Sequence, residues 1–558
     1  MVSDSRATNP QAPVPPAAHP VRVVGTLTSA CIAVLVAQVA NALPASLNGL
    51  FQAELHTTGS QLTWITAAFM IAVVVFELTF GVLGDLFGRR RLQAYGAALL
   101  VVGSVVSAIA PSVQVLWVGA ALNGLAAGAM FPASLALVAA VTHTPQARAR
   151  GIALWAGFLS AGAAVSPLLG GVFADAASWR GSFLIVAGLA VVTVVATLLL
   201  SAESTAPEGR GLDVPGQITF AIGLIAVLYA LVQGAEDGWT QPHILLALAL
   251  GAVFLAAFVA VERRAATPLL HLDLFRNRAF TVASIVTVVG MFAFLGSCFS
   301  FSIWLGAVQH QSPARVGIPL LLIQAPAFVL IPVISRLLAR VNARWLLTVG
   351  FALMAVGAWF ASRLDVTDPS LVPMVAPALL IGVGFALSIS SFTAVAMNTV
   401  PLHLAGMASA TTNLLRDLGF ALGPIIVGAV ALSTAGNKLG AALATAHLPA
   451  DQAGAANGVF SAGGPLAVNG LPPNAPGAAA HPLALAALGS GFSAAFVVCA
   501  IAALAAAALT LFGLSGRTRG SGPSSESLHD PLHPDLPGKS EEPQRPGQPE
   551  RPLATDGV

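Results

Sequence analysis

The sequence predicts an all-α polytopic membrane protein with about fourteen membrane-spanning helices, and three observations carry that prediction. Of the 558 residues, 56% are hydrophobic and only 9% are charged, where a soluble domain carries about 25% charged residues. Apolar runs recur from Val23 to Leu514, many of them near the roughly 20 residues that a helix needs to cross the hydrocarbon layer. Arginines gather in alternate connections between those runs, as they do in cytoplasmic loops. A β-barrel would show short alternating strands instead, and the sequence has no such alternation.

Breaking the runs at Gly, Pro and charge clusters gives the spans in order. The first, 23–43, stops at Pro44; 61–84 stops at a charged turn; 92–110 stops at Pro111; 113–138 ends before Pro145; 150–174 ends at Asp175; and 181–201 ends before Glu203. Spans 215–234 and 243–261 lie between Asp213 and the Glu262–Arg264 run. The next, 279–308, begins after Arg278; 314–338 begins after Pro313; 344–362 ends at Arg363; and 371–396 ends before Pro401. Span 406–433 precedes a long Ala/Gly/Pro/Asn-rich stretch, 434–487, and 488–514 ends at a polar tail.

With the N-terminus inside, the inner loops hold Arg89, Arg90, Arg91, Arg148, Arg150, Arg210, Arg263, Arg264, Arg276, Arg278, Arg336, Arg340 and Arg344, and the outer ones only Arg180, Arg315, Arg363 and Lys438. That asymmetry predicts cytoplasmic termini. No basic n-region with an apolar core opens the chain, so the first span is expected to act as its own insertion signal. Residues 1–22 and 515–558 are expected to be disordered cytoplasmic tails. The 434–487 stretch is expected to be an external loop, and its composition favours a floppy one.

The most specific motif is GVLGDLFGRRR between spans two and three. Gly81 and Gly84 allow close helix approach, Asp85 and Gly88 make a charged tight turn, and Arg89 and Arg90 hold the inner surface. A weaker copy, SRLLARVNARW from Ser335 to Trp345, sets Ser335 against Gly81, Arg344 against Arg90 and Ala339 against Asp85. In span five, Gly162, Pro167, Gly170 and Gly171 give a kinked helix that can pack tightly and rock against a neighbour.

The GVLGDLFGRRR loop resembles the conserved loop of the major facilitator superfamily. WRGSFLI, LDVPGQITF, VERRAATPLLHLDLFRNRAF and GMASATTNLLRDLGFALGP resemble segments of its fourteen-helix branch, whose described members are mostly drug:proton antiporters. The likeness covers about Leu43 to Pro424. It implies two six-helix halves around a central cavity, 23–201 and 263–514, with 202–262 as a linker carrying two inserted helices. GAAVSPLLGG is similar to the exporter motif of that superfamily, with Ser166 in place of a glycine. Two departures stand out. The position of the usual first-span acid is Leu35, and that of the usual span-four arginine is Ala120.

The charged residues left inside the spans are Glu77, Arg416 and Asp417. Ionisable groups at depth need a partner or a wet cavity, and Glu77 and Asp417 either carry protons or pair structurally. Adjacent helix positions point about 100° apart, so Arg416 and Asp417 need not pair with each other. Gln38, Asn41, Asn123, Gln324 and Asn413 either hydrogen-bond substrate or join helices. Phe292, Phe294, Phe299, Phe301 and Trp304 make span nine aromatic, which suits planar lipophilic compounds or lipid.

Enzyme readings find little support. Eleven histidines show no metal-like spacing, and Cys31, Cys298 and Cys499 read as small core residues. Gly538-Lys539-Ser540 lacks the rest of a phosphate loop. The chain is therefore expected to be no enzyme and to need no cofactor or metal. The expected activity is secondary, proton-coupled export of small amphipathic compounds or drugs by alternating access. The alternatives are a metabolite exporter or facilitator without carboxylate coupling, and a non-transporting sensor. Expected partners are a small molecule, protons and the bilayer. No nucleic acid is expected, and the chain is expected to be a monomer in the inner (cytoplasmic) membrane.

Overall fold

The computed structural model describes residues 20–514 apart from 143, 177, 206–210, 266–267, 271 and 399–404, so the predicted tails lie outside the described residues except for 20–22, which open the first helix. Among the described residues every regular element is a helix, and thirteen helices are long and apolar enough to cross a membrane. The first span is α1 (Pro20–Ala42) continued by α2 (Pro44–Leu55). Then come α3 (Gly59–Phe87), α4 (Arg89–Ala108), α5 (Val113–Val141), α6 (Pro145–Ala176) and α7 (Trp179–Leu200). α8 (Val214–Asp237) and α9 (Pro242–Glu262) form a hairpin, followed by α10 (Arg278–Ile303), which runs into a π-helical turn, Trp304–Val308.

The predicted tenth span is broken into α11 (Pro313–Val329) and α12 (Ile331–Arg340). The break falls at Leu330, and Pro332 marks it: proline lacks an N–H, so the Phe328 carbonyl one turn back has no helical donor, while the first turn of α12 tolerates the proline. Counted with this pair, the spans number about fourteen, as predicted. α13 (Ala343–Ala361), α14 (Val372–Asn398), α15 (Ala405–Thr445), α16 (Ala450–Asn469) and α17 (His481–Gly513) complete the chain.

The 434–487 stretch corrects the expectation of a floppy loop. Almost all of it is helical: α15 runs on to Thr445, α16 fills most of the remainder, and α17 starts at His481. Its alanines are strong helix formers. Leu439, Leu443, Ala456, Val468, Ala480 and Ala484 give it a small buried core of its own.

Helices α1–α7 pack mainly on one another, as do α10–α15 with α17. The two groups meet where α3 lies along α15, where α6 lies along α11, and where α2 meets the π turn. α8 rests on both α3 and α15. It is bolted to α3 by Gln217, whose Nε2 donates to the Val75 carbonyl at 2.7 Å and whose Oε1 accepts from Thr79, and Trp64 Nε1 donates to Gln233 Oε1 at 3.4 Å. Outward-facing side chains such as Leu199, Val253 and Ile501 are apolar and exposed, as a bilayer solvent requires.

Candidate functional site

The α3–α4 turn is built by Gly88, whose φ of +112° is open to glycine and strained for other residues. A Cβ there would also strike the Glu203 carboxylate at 2.8 Å. Asp85 pairs with Arg89 at 2.8 Å, and Arg89 Nη1 donates to Ser204 Oγ at 3.1 Å. Arg90 donates its side chain to the Leu198 carbonyl of α7 and its backbone N–H to Glu203 Oε1 at 3.1 Å. The repeat is visible in this contact. Arg344, its counterpart, donates to the Leu511 carbonyl of α17, the last helix of the second group.

Gly81 corrects one expectation: a Cβ there would find only Pro132 at 3.9 Å, ordinary contact. The close approach in this region falls at Gly124, where a Cβ would overlap the Phe69 carbonyl of α3. α6 does use its small residues as predicted. Added Cβ atoms at Gly162 and Gly170 would overlap the Leu35 carbonyl and Ser46 Oγ of the first span. On its other side, Gly171 lies against Ala314 of α11, and the Pro167 carbonyl would be 2.9 Å from a Cβ on Gly317. Ser166, the departure from the exporter motif, donates to the Val39 carbonyl at 2.8 Å.

The three membrane charges meet across the α3/α15 seam. Arg416 and Asp417 form a bidentate pair, Nε to Oδ1 at 2.7 Å and Nη2 to Oδ2 at 2.8 Å. The 100° between adjacent positions does not keep them apart, because the long guanidinium folds back along the helix. Arg416 also donates to Asn413 Oδ1 at 3.4 Å. From α3, the Glu77 carboxyl comes within hydrogen-bonding reach of Asp417, with Arg416 also acting on it. Glu77 and Asp417 are both buried. Like charges this close resist joint ionisation. Glu77, Asn413 and Arg416 line a cavity of about 400 Å³ that also reaches Gly81, Asp85 and Arg89.

The neutral candidates are scattered. Asn41 and Asn123 face a small void of about 10 Å³, and Asn123 Oδ1 accepts from Ser104 at 3.3 Å, which joins α4 to α5. Gln38 is half-buried beside Gly162, and Gln324 is half-buried on α11. In the aromatic helix α10, Phe294 stacks on Phe385 of α14, centroids 3.6 Å apart, while Phe301 and Trp304 pack on Phe496 of α17.

On the face away from Arg89–Arg91 the two groups are held together by residues that sequence reasoning missed. Asn48 Nδ2 donates to Ser302 Oγ at 2.8 Å and Gln52 Nε2 to the Leu466 carbonyl of α16 at 3.0 Å, while Asn469 Nδ2 anchors α16 to the Val308 carbonyl of the π turn at 2.9 Å. A larger cavity, about 820 Å³, opens there between α3, α8, α15 and α16.

A family model described as Major Facilitator Superfamily matches residues 30–424. Multidrug resistance protein Stp of Mycobacterium tuberculosis (strain CDC 1551 / Oshkosh) is 31% identical over 369 residues, 66% of this chain and 68% of that one. The Tetracenomycin C resistance and export protein of Streptomyces glaucescens is 28% identical over 493 residues, 87% of this chain and 91% of that one. Among solved structures, a bacterial homologue of the human lysosomal transporter Spinster, in an inward-facing and unoccupied conformation, superposes with a TM-score of 0.58. It is 15% identical and covers 89% of this chain and 99% of its own.

Proposed function

Because the chain belongs to the Major Facilitator Superfamily, we propose that it is a proton-coupled exporter of small amphipathic organic compounds or drugs. On this reading, residues 23–201 and 263–514 are halves that alternate access to a shared cavity, and 202–262 is a two-helix insert. The face with Arg89–Arg91 is cytoplasmic by its arginine excess, and both termini lie on that side of the inner membrane. The cavity bounded by Glu77 and Arg416 opens toward it, and the Asn48 and Gln52 bonds close the outer side.

The observation that carries the proposal is the carboxyl pair of Glu77 and Asp417, one from each half, beside Arg416. Moving the halves apart at this seam would separate the carboxyls and change how their proton is held. That links protonation to the conformational step, and such differential stabilisation is what coupling requires. Compounds named for the relatives, tetracenomycin C and puromycin, and planar lipophilic dyes are the substrates to try first.

The test is transport in proteoliposomes with and without an imposed pH gradient. Gradient-driven transport should disappear in the Glu77→Gln, Asp417→Asn double variant. If that variant keeps full gradient-driven transport, neither carboxyl is the carrier. Leu35 and Ala120, uncharged where the branch usually has charges, favour a second reading: export of a metabolite without carboxylate coupling. Equal rates with and without the gradient would select it.

A further inference from the structure

A second carboxyl pair lies apart from the seam, at the Arg89–Arg91 end of the α8–α9 hairpin. Asp213 caps α8, its Oδ1 accepting from Gly216 N at 2.9 Å. Glu262 ends α9, its Oε2 accepting from Leu270 N at 3.1 Å. The remaining oxygens, Asp213 Oδ2 and Glu262 Oε1, are buried and have no partner among the described residues. Both flank Gly216, where an added Cβ would strike each of them, and the two carboxyls are within hydrogen-bonding reach of one another. The residues themselves are 8% and 4% exposed.

Two unpaired carboxylate oxygens facing each other out of water need a positive centre between them. A metal ion would require further ligands, and no group of three or more His, Cys, Asp or Glu stands together among the described residues. A proton needs only these two oxygens. We propose that Asp213 and Glu262 form a proton-binding site that ties the insert hairpin to the chain leading into α10.

Glu262 holds that chain through Leu270 N, and Pro268, Leu269 and Gly211 border the 400 Å³ cavity. Loss of the shared proton leaves two facing carboxylates. Their repulsion frees Glu262 from Asp213 and loosens Leu270. Asp213 is the charged group that acts on Glu262 among the described residues. Arg263 and Arg264 follow it in sequence with exposed side chains. Asp273 and Arg276, on the short helix beyond, are exposed and lie 3.8 Å from each other. Gln217 of α8 and Thr79 of α3 are neutral and bonded together.

The test is the labelling of Leu269→Cys by an impermeant maleimide in detergent-purified full-length protein, without substrate or gradient. It is therefore independent of proton-coupled export. The three native cysteines are buried. Because the tie exists with the proton bound and is lost as pH rises, labelling should climb with pH, about tenfold per unit until the tie is open. In Glu262→Gln or Asp213→Asn the amide N–H takes the place of the shared proton, so labelling should stay low and flat. Either amide variant suffices if the other fails to fold. Labelling that is flat with pH in the otherwise unsubstituted protein, or that climbs equally in the amide variants, overturns the proposal.

Discussion

Replacing Arg416 with Met tests the charge count of the seam cluster. Arg416 is bonded twice to Asp417 and acts on Glu77 as well. With one proton shared between the two carboxyls, removal of the guanidinium leaves one buried negative charge uncompensated. Stripping one partner from a buried ion pair costs about 3–5 kcal/mol. The alternative is a second proton. Each pH unit of acidification lowers the cost of that proton by about 1.4 kcal/mol. Arg416→Met should therefore lose about 4 kcal/mol at neutral pH and recover about 1.4 kcal/mol per pH unit on acidification. Adding Asp417→Leu removes the stranded charge and should return the protein to within about 1 kcal/mol of its starting stability. The assay is equilibrium unfolding of purified protein in mixed micelles between pH 5 and 8. A loss below about 1 kcal/mol at pH 7, or a loss that does not shrink in acid, would refute the shared-proton account.

Asp85→Asn weakens the pair with Arg89, beside the cavity that Thr411 and Asn413 of α15 also line. A shift of about 0.3–1 kcal/mol between states should slow turnover roughly two- to fivefold with membrane insertion intact, and unchanged turnover would show that this pair does not bias the alternating states. Gly162→Leu must push α6 off the Leu35 carbonyl, so folded yield should collapse; Gly188→Leu, where nothing lies within 4 Å, should express normally. Single cysteines at Gly463 and Ser525 should react from opposite sides of the membrane, the first from outside. Reaction of Gly463→Cys from the cytoplasm alone would invert the orientation assigned from the arginines.

The spans were legible because hydropathy and loop arginines are local signals that a bilayer imposes on every helix. The fold of 434–487 was not. Its Ala/Gly/Pro/Asn mixture suits either a loop or a helix, and what anchors it is distant in sequence: Gln52 on the Leu466 carbonyl, Asn469 on the Val308 carbonyl. Buried carboxylates at depth could be read as a site, since their desolvation cost depends on residue type and span alone. That Glu77 would meet Asp417, rather than a partner on its own half, depends on how α3 and α15 are rotated, which periodicity in one helix leaves open. Asp213 and Glu262 escaped notice for a related reason. Each looks like an ordinary helix-end acid until the hairpin brings the two together around Gly216.

On the proposed reading, the location of the seam pair also accounts for the missing first-span acid. A carboxyl in α1 would sit within one half and would need the cavity to change its solvent exposure as the halves rock. Leu35 instead offers its carbonyl to the close packing of Gly162, and an ionisable side chain on such a tightly packed stretch would have little water to exchange with. At the α3/α15 seam the partners come from different halves, so the rocking motion itself makes and breaks the carboxyl contact. Arg416 and Asp417 are bonded to each other within α15 and travel on one helix, which leaves Glu77 as the group whose surroundings change most on this reading. Glu77→Gln alone should therefore uncouple transport from the pH gradient while downhill substrate movement continues. A Glu77→Gln protein that loses downhill movement as well would place the residue in substrate binding or packing instead.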